Sequence, residues 1–274
     1  MLVPLMNAMP MHRLTPSALA LTTRISRSGK IGVALLALGL NGCSTPGPNH
    51  TYVASRAENP VMDMHPINPS VAVPTYLRAA NTLYGIAYDP FTDHLFLRVY
   101  PGNFIRVIDR PARKIKRNFT VAGLPEGGGD LAIRSSDRHL FFAHPTLPAV
   151  VESTLYGQFV ETIILDTLVS PPAGVAYDQK KNLLYILAKG KPAQIYTHDL
   201  TGKRLGCVTL DRNVIQQSLA YDSVSAEIYV RLSDEPAIGV FNILGKWKRS
   251  IPLSTSDPSG AFIDVGPRSL LRLF

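Results

Sequence analysis

Gly85-Ile-Ala-Tyr-Asp89 returns four times along the chain, as Asp130-Leu-Ala-Ile-Arg134, Gly174-Val-Ala-Tyr-Asp178, Ser218-Leu-Ala-Tyr-Asp222 and Gly260-Ala-Phe-Ile-Asp264. Successive copies are 45, 44, 44 and 42 residues apart. Six residues after the last position of each copy an apolar run begins, at Leu95, Leu140, Leu184, Ile228 and Leu270. Each complete unit adds a third β-rich run (Phe104 to Asp109, Ala149 to Ser153, Gln194 to Asp199, Ile238 to Asn242) and a fourth (Ile115 to Val121, Phe159 to Leu165, Arg204 to Leu210, Trp247 to Leu253). Four short strands in a period of about 44 residues, separated by turn residues such as Thr201-Gly202 and Leu244-Gly245, predict an all-β chain built as a β-propeller of four-stranded blades.

The last unit ends after its first two strands, which would leave a bare sheet edge. Upstream, Val61-Met-Asp63 lies where a third strand would fall, and Val71 to Tyr76 precedes Gly85 as Ile115 to Val121 precedes Asp130. Five blades are therefore expected, the fifth closed non-covalently by residues 61 to 76 on residues 260 to 274.

Ile228-Tyr229-Val230 and Leu184-Tyr185-Ile186, with Arg106-Val-Ile-Asp109 and a basic-apolar fourth strand, resemble the YVTN-type and NHL-type propeller repeats. The resemblance covers residues 85 to 274 and concerns packing, not chemistry.

Ahead of the repeats, Arg24-Ile-Ser-Arg-Ser-Gly-Lys30 is followed by ten uncharged residues, Ile31 to Leu40, and then by Asn41-Gly42-Cys43-Ser44. A basic segment, a short apolar stretch and a small-residue site in that order form an export signal, and ten residues are too few to span a bilayer as a helix. Leu40-Asn41-Gly42-Cys43 resembles the lipobox of bacterial lipoproteins. That resemblance implies a signal peptide over 1–42, a lipid on Cys43 and, with Ser44 next, an outer-membrane protein facing the periplasm. Residues 43–60, with Pro46, Gly47, Pro48 and Pro60, then read as a tether and 61–274 as the propeller domain.

The 274 residues are 46% hydrophobic and 18% charged, with a formal net charge of +8. Four of the cations precede Cys43, which leaves 24 basic against 20 acidic residues after it. A balance so near neutral gives no polyanion footprint, and nucleic acid is not an expected partner. No nucleotide cradle, paired metal-ligand motif or nucleophile elbow occurs, so no cofactor, metal or catalytic residue is assigned.

Loops joining second to third strands, and fourth strands to the next blade, share one face of a propeller. There the repeats gather Tyr100, Glu126, Asp130, His144, Lys189, Arg212, Asp234 and Glu235, of which Tyr100, Asp130, His144, Lys189 and Asp234 are the candidate binding residues. Asp130 stands out because Gly or Ser fills its place in the other units. It could bind a ligand at the channel mouth or cap its own turn. His144 could pair with Asp130, though beside Pro145 a turn role is the plainer reading. The recurrent Asp89, Asp178, Asp222 and Asp264 are expected to organise turns, Tyr88, Tyr177 and Tyr221 to pack between blades, and Cys207 to be a packed thiol.

Two classes of function follow. One is a membrane-anchored envelope lipoprotein whose propeller face binds a protein, peptide or glycan partner. The other is a small-molecule hydrolase or lyase working at the channel mouth through Asp130 and His144.

Overall fold

The computed structural model describes residues 49–56, 60–253 and 261–267. Three strands open it: β1 (Asn49–Ser55), β2 (Val61–Met64) and β3 (Val71–Val73). Blade I follows with β4 (Thr82–Asp89), β5 (His94–Tyr100), β6 (Phe104–Asp109) and β7 (Lys114–Thr120). Blade II is β8 (Leu131–Arg134), β9 (His139–Ala143), β10 (Ala149–Thr154) and β11 (Phe159–Ile164). Blade III is β12 (Pro172–Asp178), β13 (Leu183–Ala188), β14 (Gln194–His198) and β15 (Arg204–Thr209), and blade IV is β16 (Ala220–Asp222), β17 (Glu227–Arg231), β18 (Ala237–Asn242) and β19 (Trp247–Pro252). Last comes β20 (Ala261–Pro267), and blade V runs in the order β20-β1-β2-β3.

Every blade is an antiparallel meander of four strands, and β4, β8, β12, β16 and β20 contact one another in a closed ring around the axis. The sequence expectation of a five-bladed propeller is met. Inner strands are buried almost throughout, while the fourth strands carry polar side chains outward, as in Lys114–Thr120. Five apolar cores fill the five gaps between neighbouring blades, each drawing residues from both sheets. The first strands pass so close at the axis that a Cβ on Gly85 would stand 2.6 Å from Leu131 Cδ2, and one on Gly174 would stand 2.8 Å from the Leu219 nitrogen. Glycine therefore alternates there with the larger Asp130 and Ser218.

Closure differs from the expectation in one respect. The second strand of blade V is not Leu270 to Phe274, which lie outside the described residues, but Asn49–Ser55, paired with Ala261–Pro267 over seven positions. Three strands thus come from the N-terminal side and one from the C-terminal side. The segment read as a tether accordingly holds a strand of blade V, Asn49–Ser55. Residues 1–42 and Cys43 lie outside the described residues.

The seam with blade I is reinforced by buried charge. Asp63 of β2 accepts from Arg110 at 3.1 Å and is 2.6 Å from His50 Nδ1, while Arg110 also grips Asp93 through two contacts of 2.6 Å. Arg106 donates to the carbonyls of Thr75 and Tyr76, and Tyr52 stacks on Tyr88 at 4.1 Å. These are charge-assisted bonds held away from water, where losing one partner strands the other.

Candidate functional site

The two faces of the ring differ. The loop face carries the second-to-third and interblade connections, and the turn face carries the tight turns that end the first and third strands. Asp89, Asp178 and Asp222 organise turns there as expected, each accepting backbone N–H groups two or three residues on. Asp264 does not. Strand β20 continues past it to Pro267, and its carboxylate turns to the axis, accepting from the Tyr88 nitrogen at 2.5 Å and from Val265 at 2.8 Å.

Asp130 is on the axis too, but fully buried rather than displayed at a channel mouth. Its Oδ2 crosses to blades III and IV, accepting from Val175 at 3.4 Å and Leu219 at 2.9 Å, so neither an open ligand carboxylate nor a cap on its own turn describes it. Inner strands present unpaired N–H groups to the axis, and the two acids satisfy some of them. Asp130 Oδ1 is buried without a hydrogen-bond partner among the described residues.

Burial pushes both acids up, Asp130 well above the usual carboxylate range and Asp264 to about 7, opposed in each case by the N–H groups they accept. The Asp264 charge nearby raises Asp130 further. The folded protein therefore holds a proton on Asp264 over a range in which the unfolded chain has released it. The contribution of Asp264 is full below about pH 4 and is lost as the pH climbs toward 7. Asp264→Asn should remove no more than about 4 kcal/mol of that decline, and urea unfolding across the range measures it. A wild-type minus variant difference that does not change with pH would count against this assignment. Asp130 extends the decline to higher pH in both proteins.

His144 does not meet Asp130. Its Nδ1 accepts from the Thr146 and Leu147 nitrogens at 3.2 and 2.9 Å, the turn role, while burial and the Arg98 charge lower its basicity. Tyr100 stands edge-on to Tyr84 with centroids 5.5 Å apart, and Lys189 is exposed on its loop. Asp234 joins Glu235 around Arg212 at 3.0 and 3.5 Å. Of the candidate binding residues, Asp234 helps to line a cleft. That cleft, about 760 Å³, lies on the loop face between blades III and IV and is bordered by Lys191, Arg212, Asn213, Gln216, Ser233 and Asp234.

Sequence reading missed Arg98, which is fully buried beneath the loop face. Its guanidinium donates to Asn103 Oδ1 at 3.2 Å and to the carbonyls of Pro125, Gly129 and Ala143 at 3.0, 3.3 and 3.4 Å, with Phe142 beneath it. The signal was a cation inside the apolar run Leu95-Phe-Leu-Arg98-Val, where blades II and III have Ala143 and Leu187. Cys207, expected to be packed, is exposed on β15. Tyr88, Tyr177 and Tyr221 pack between blades as expected.

No family model matches the sequence, and no curated protein does either. Among solved structures, a chain in the crystal structure of a nidogen/laminin complex superposes with a TM-score of 0.59 at 12% identity, covering 81% of this chain and 99% of that one. Glutaminyl cyclase from Myxococcus xanthus gives a TM-score of 0.49 at 15% identity, over 63% of this chain and 71% of that one. Virginiamycin B lyase from Staphylococcus aureus gives 0.45 at 16%, over 76% and 68%. At such identities the likeness is one of fold, and the fold is a β-propeller.

Proposed function

We propose that the chain is a lipid-anchored protein of the cell envelope whose propeller binds a peptide or glycan on its loop face. The observation that carries the binding half is the cleft between blades III and IV. Its border alternates donors and acceptors, Arg212 is held in place by two carboxylates, and a space of about 760 Å³ lies within the usual size of ligand sites. Hydrogen-bonding groups set beside the apolar Pro192, Ala193, Leu210 and Val214 suit an extended peptide or a sugar chain, which present both kinds of surface. The propeller chain in the nidogen/laminin complex comes from a protein–protein assembly, which agrees with a partner-binding use of the fold. The hydrolase or lyase reading drew on an Asp130–His144 pair, and the two side chains do not meet: Asp130 Oδ2 accepts from Val175 and Leu219, and His144 Nδ1 from Thr146 and Leu147.

The anchor half rests on the order of basic segment, apolar stretch and Asn41-Gly42-Cys43. With β1 starting at Asn49, a lipid on Cys43 would be linked to the first strand by a span of no more than about 20 Å. That strand begins on the turn face, opposite the loop face that carries the cleft.

Two measurements test the two halves separately. Cys43→Ser should move the protein from the membrane to the soluble envelope fraction, and unaltered membrane association would remove the anchor. On peptide and glycan arrays probed with the soluble propeller, Arg212→Ala should weaken the retained signals at least tenfold. It should cost no more than about 1 kcal/mol of stability, the range of surface ion pairs. Binding equal to wild type would exclude this cleft.

A further inference from the structure

A second cavity opens on the turn face, at the axis. It holds about 220 Å³ and is walled by residues from the inner strands of all five blades. Ala132, Ile133, Val175 and Val265 supply much of that wall, with the rings of Tyr177 and Tyr221. The tyrosine hydroxyls are engaged outside it. Tyr88 donates to Asp93, Tyr177 to Asn182, and Tyr221 is bonded to Tyr185. One side of each ring packs on a neighbour, Tyr88 on Tyr52, Tyr177 on Phe141 and Tyr221 on Tyr185, so what the aromatic residues can offer the cavity is the remaining ring surface.

One carboxylate breaks the apolar wall. Asp264 lies deep in the protein, and the surface it keeps accessible faces the cavity. A carboxylate has about four acceptor positions, and the Tyr88 and Val265 nitrogens occupy two. We propose that this cavity binds a small organic ammonium ion, with the Asp264 carboxylate as counter-ion and the tyrosine rings as walls.

Three considerations select that ligand. A carboxylate surrounded by apolar groups is unfavourable alone and is stabilised by a cation that donates hydrogen bonds to it. Aromatic rings attract the same charge through their faces, most strongly where water is excluded. A bare metal ion fits poorly, since calcium and magnesium want six or more oxygens. The described residues assemble no group of three His, Cys, Asp or Glu side chains placed to hold a metal ion. The volume corresponds to roughly seven waters, which sets an upper limit near a butyl- or pentylammonium ion.

Other charged groups facing the cavity do not oppose this. The Asp222 carboxylate is taken up by Val224 and Ser225, the Lys180 ammonium is exposed at the mouth where solvent and salt screen it, and Asp130, which burial pushes well above the usual carboxylate range, adds no charge. The tyrosines stay neutral, burial having raised all three.

Calorimetric titration of the folded protein with butylammonium and with its uncharged counterpart butanol tests the proposal at about pH 5.5 and pH 8.5. Butylammonium should bind at least fivefold more tightly at the higher pH, where Asp264 is ionised, and butanol should show no such gain. Asp264→Asn should lose at least tenfold in butylammonium affinity and abolish the pH dependence. Should that variant not fold, the wild-type comparison of the two probes decides alone. Equal affinity for both probes at the higher pH, no saturable butylammonium binding there, or undiminished binding by a folded Asp264→Asn would each overturn the assignment.

Discussion

Removing residues 49–76 should abolish the single cooperative unfolding transition and leave a chain that aggregates. The segment supplies three of the four strands of blade V, and with it go the side chains of Tyr52, Ala54, Val61 and Val73 from one interblade core and Val53 from the next. Arg110 would lose Asp63, and β20 would be left with bare edges. The loss should exceed about 5 kcal/mol, comparable with the whole stability of an ordinary domain. A rearranged chain separates closure from mere bulk. Asn49 lies opposite Pro267, so residues 49–76 moved to follow the C-terminus would let β20, β1, β2 and β3 run as one continuous blade. That permuted protein should unfold cooperatively within about 1 kcal/mol of wild type. A truncated chain with the wild-type midpoint, measured by urea unfolding, would refute closure by these strands.

Arg98→Ala should be the most damaging single substitution on the loop face, at about 5 kcal/mol. The guanidinium bonds one amide oxygen and three backbone carbonyls, and no carboxylate partner is found among the described residues. Burial lowers it to about 10, which leaves it charged at neutral pH. The carbonyl dipoles of the loop from Val121 to Asp130 hold that charge, and in turn the charge holds the loop. Truncation strands several acceptors at roughly 1–3 kcal/mol each and opens a void beside Phe142. Arg98→Lys should recover little, because a point-like ammonium cannot reach acceptors spread across two blades. A Lys variant as stable as wild type would mean that charge, not the fork of donors, is what the site requires.

Blade number and most strand limits were legible because a 44-residue period repeats local signals that each blade obeys independently. Closure was legible only in outline. Asn49–Ser55 shows a strand pattern no stronger than Leu270 to Phe274, and the choice between them is made by packing against Tyr88 and Tyr229 across the seams, which no local pattern contains. Asp264 was misread for a related reason. It occupies the repeat position of a turn residue, but it stands mid-strand in the one blade whose first two strands are not consecutive in the chain. Register placed Asp130 at the axis, while its depth and its reach to Leu219 depend on how tightly the ring closes. The cleft brought Asp234 and Arg212 together because both lie on neighbouring loops of one face, a relation the repeat does encode.

The pairing of β1 with β20 also governs when the molecule can be finished. Ser55 meets Ala261 and Asn49 meets Pro267, so every rung of that ladder joins positions more than 200 residues apart. A chain delivered from its N-terminus can pack its first three strands on blade I, but the edge of β1 that pairs with β20 stays open until β20 has emerged. Blades I to IV can form in turn as they appear, each from a local meander, whereas the ring must wait. Non-local ladders of this kind slow the final folding step and prolong the life of open-edged intermediates. The leading segment is thus the part of the chain with the greatest need of a holdase.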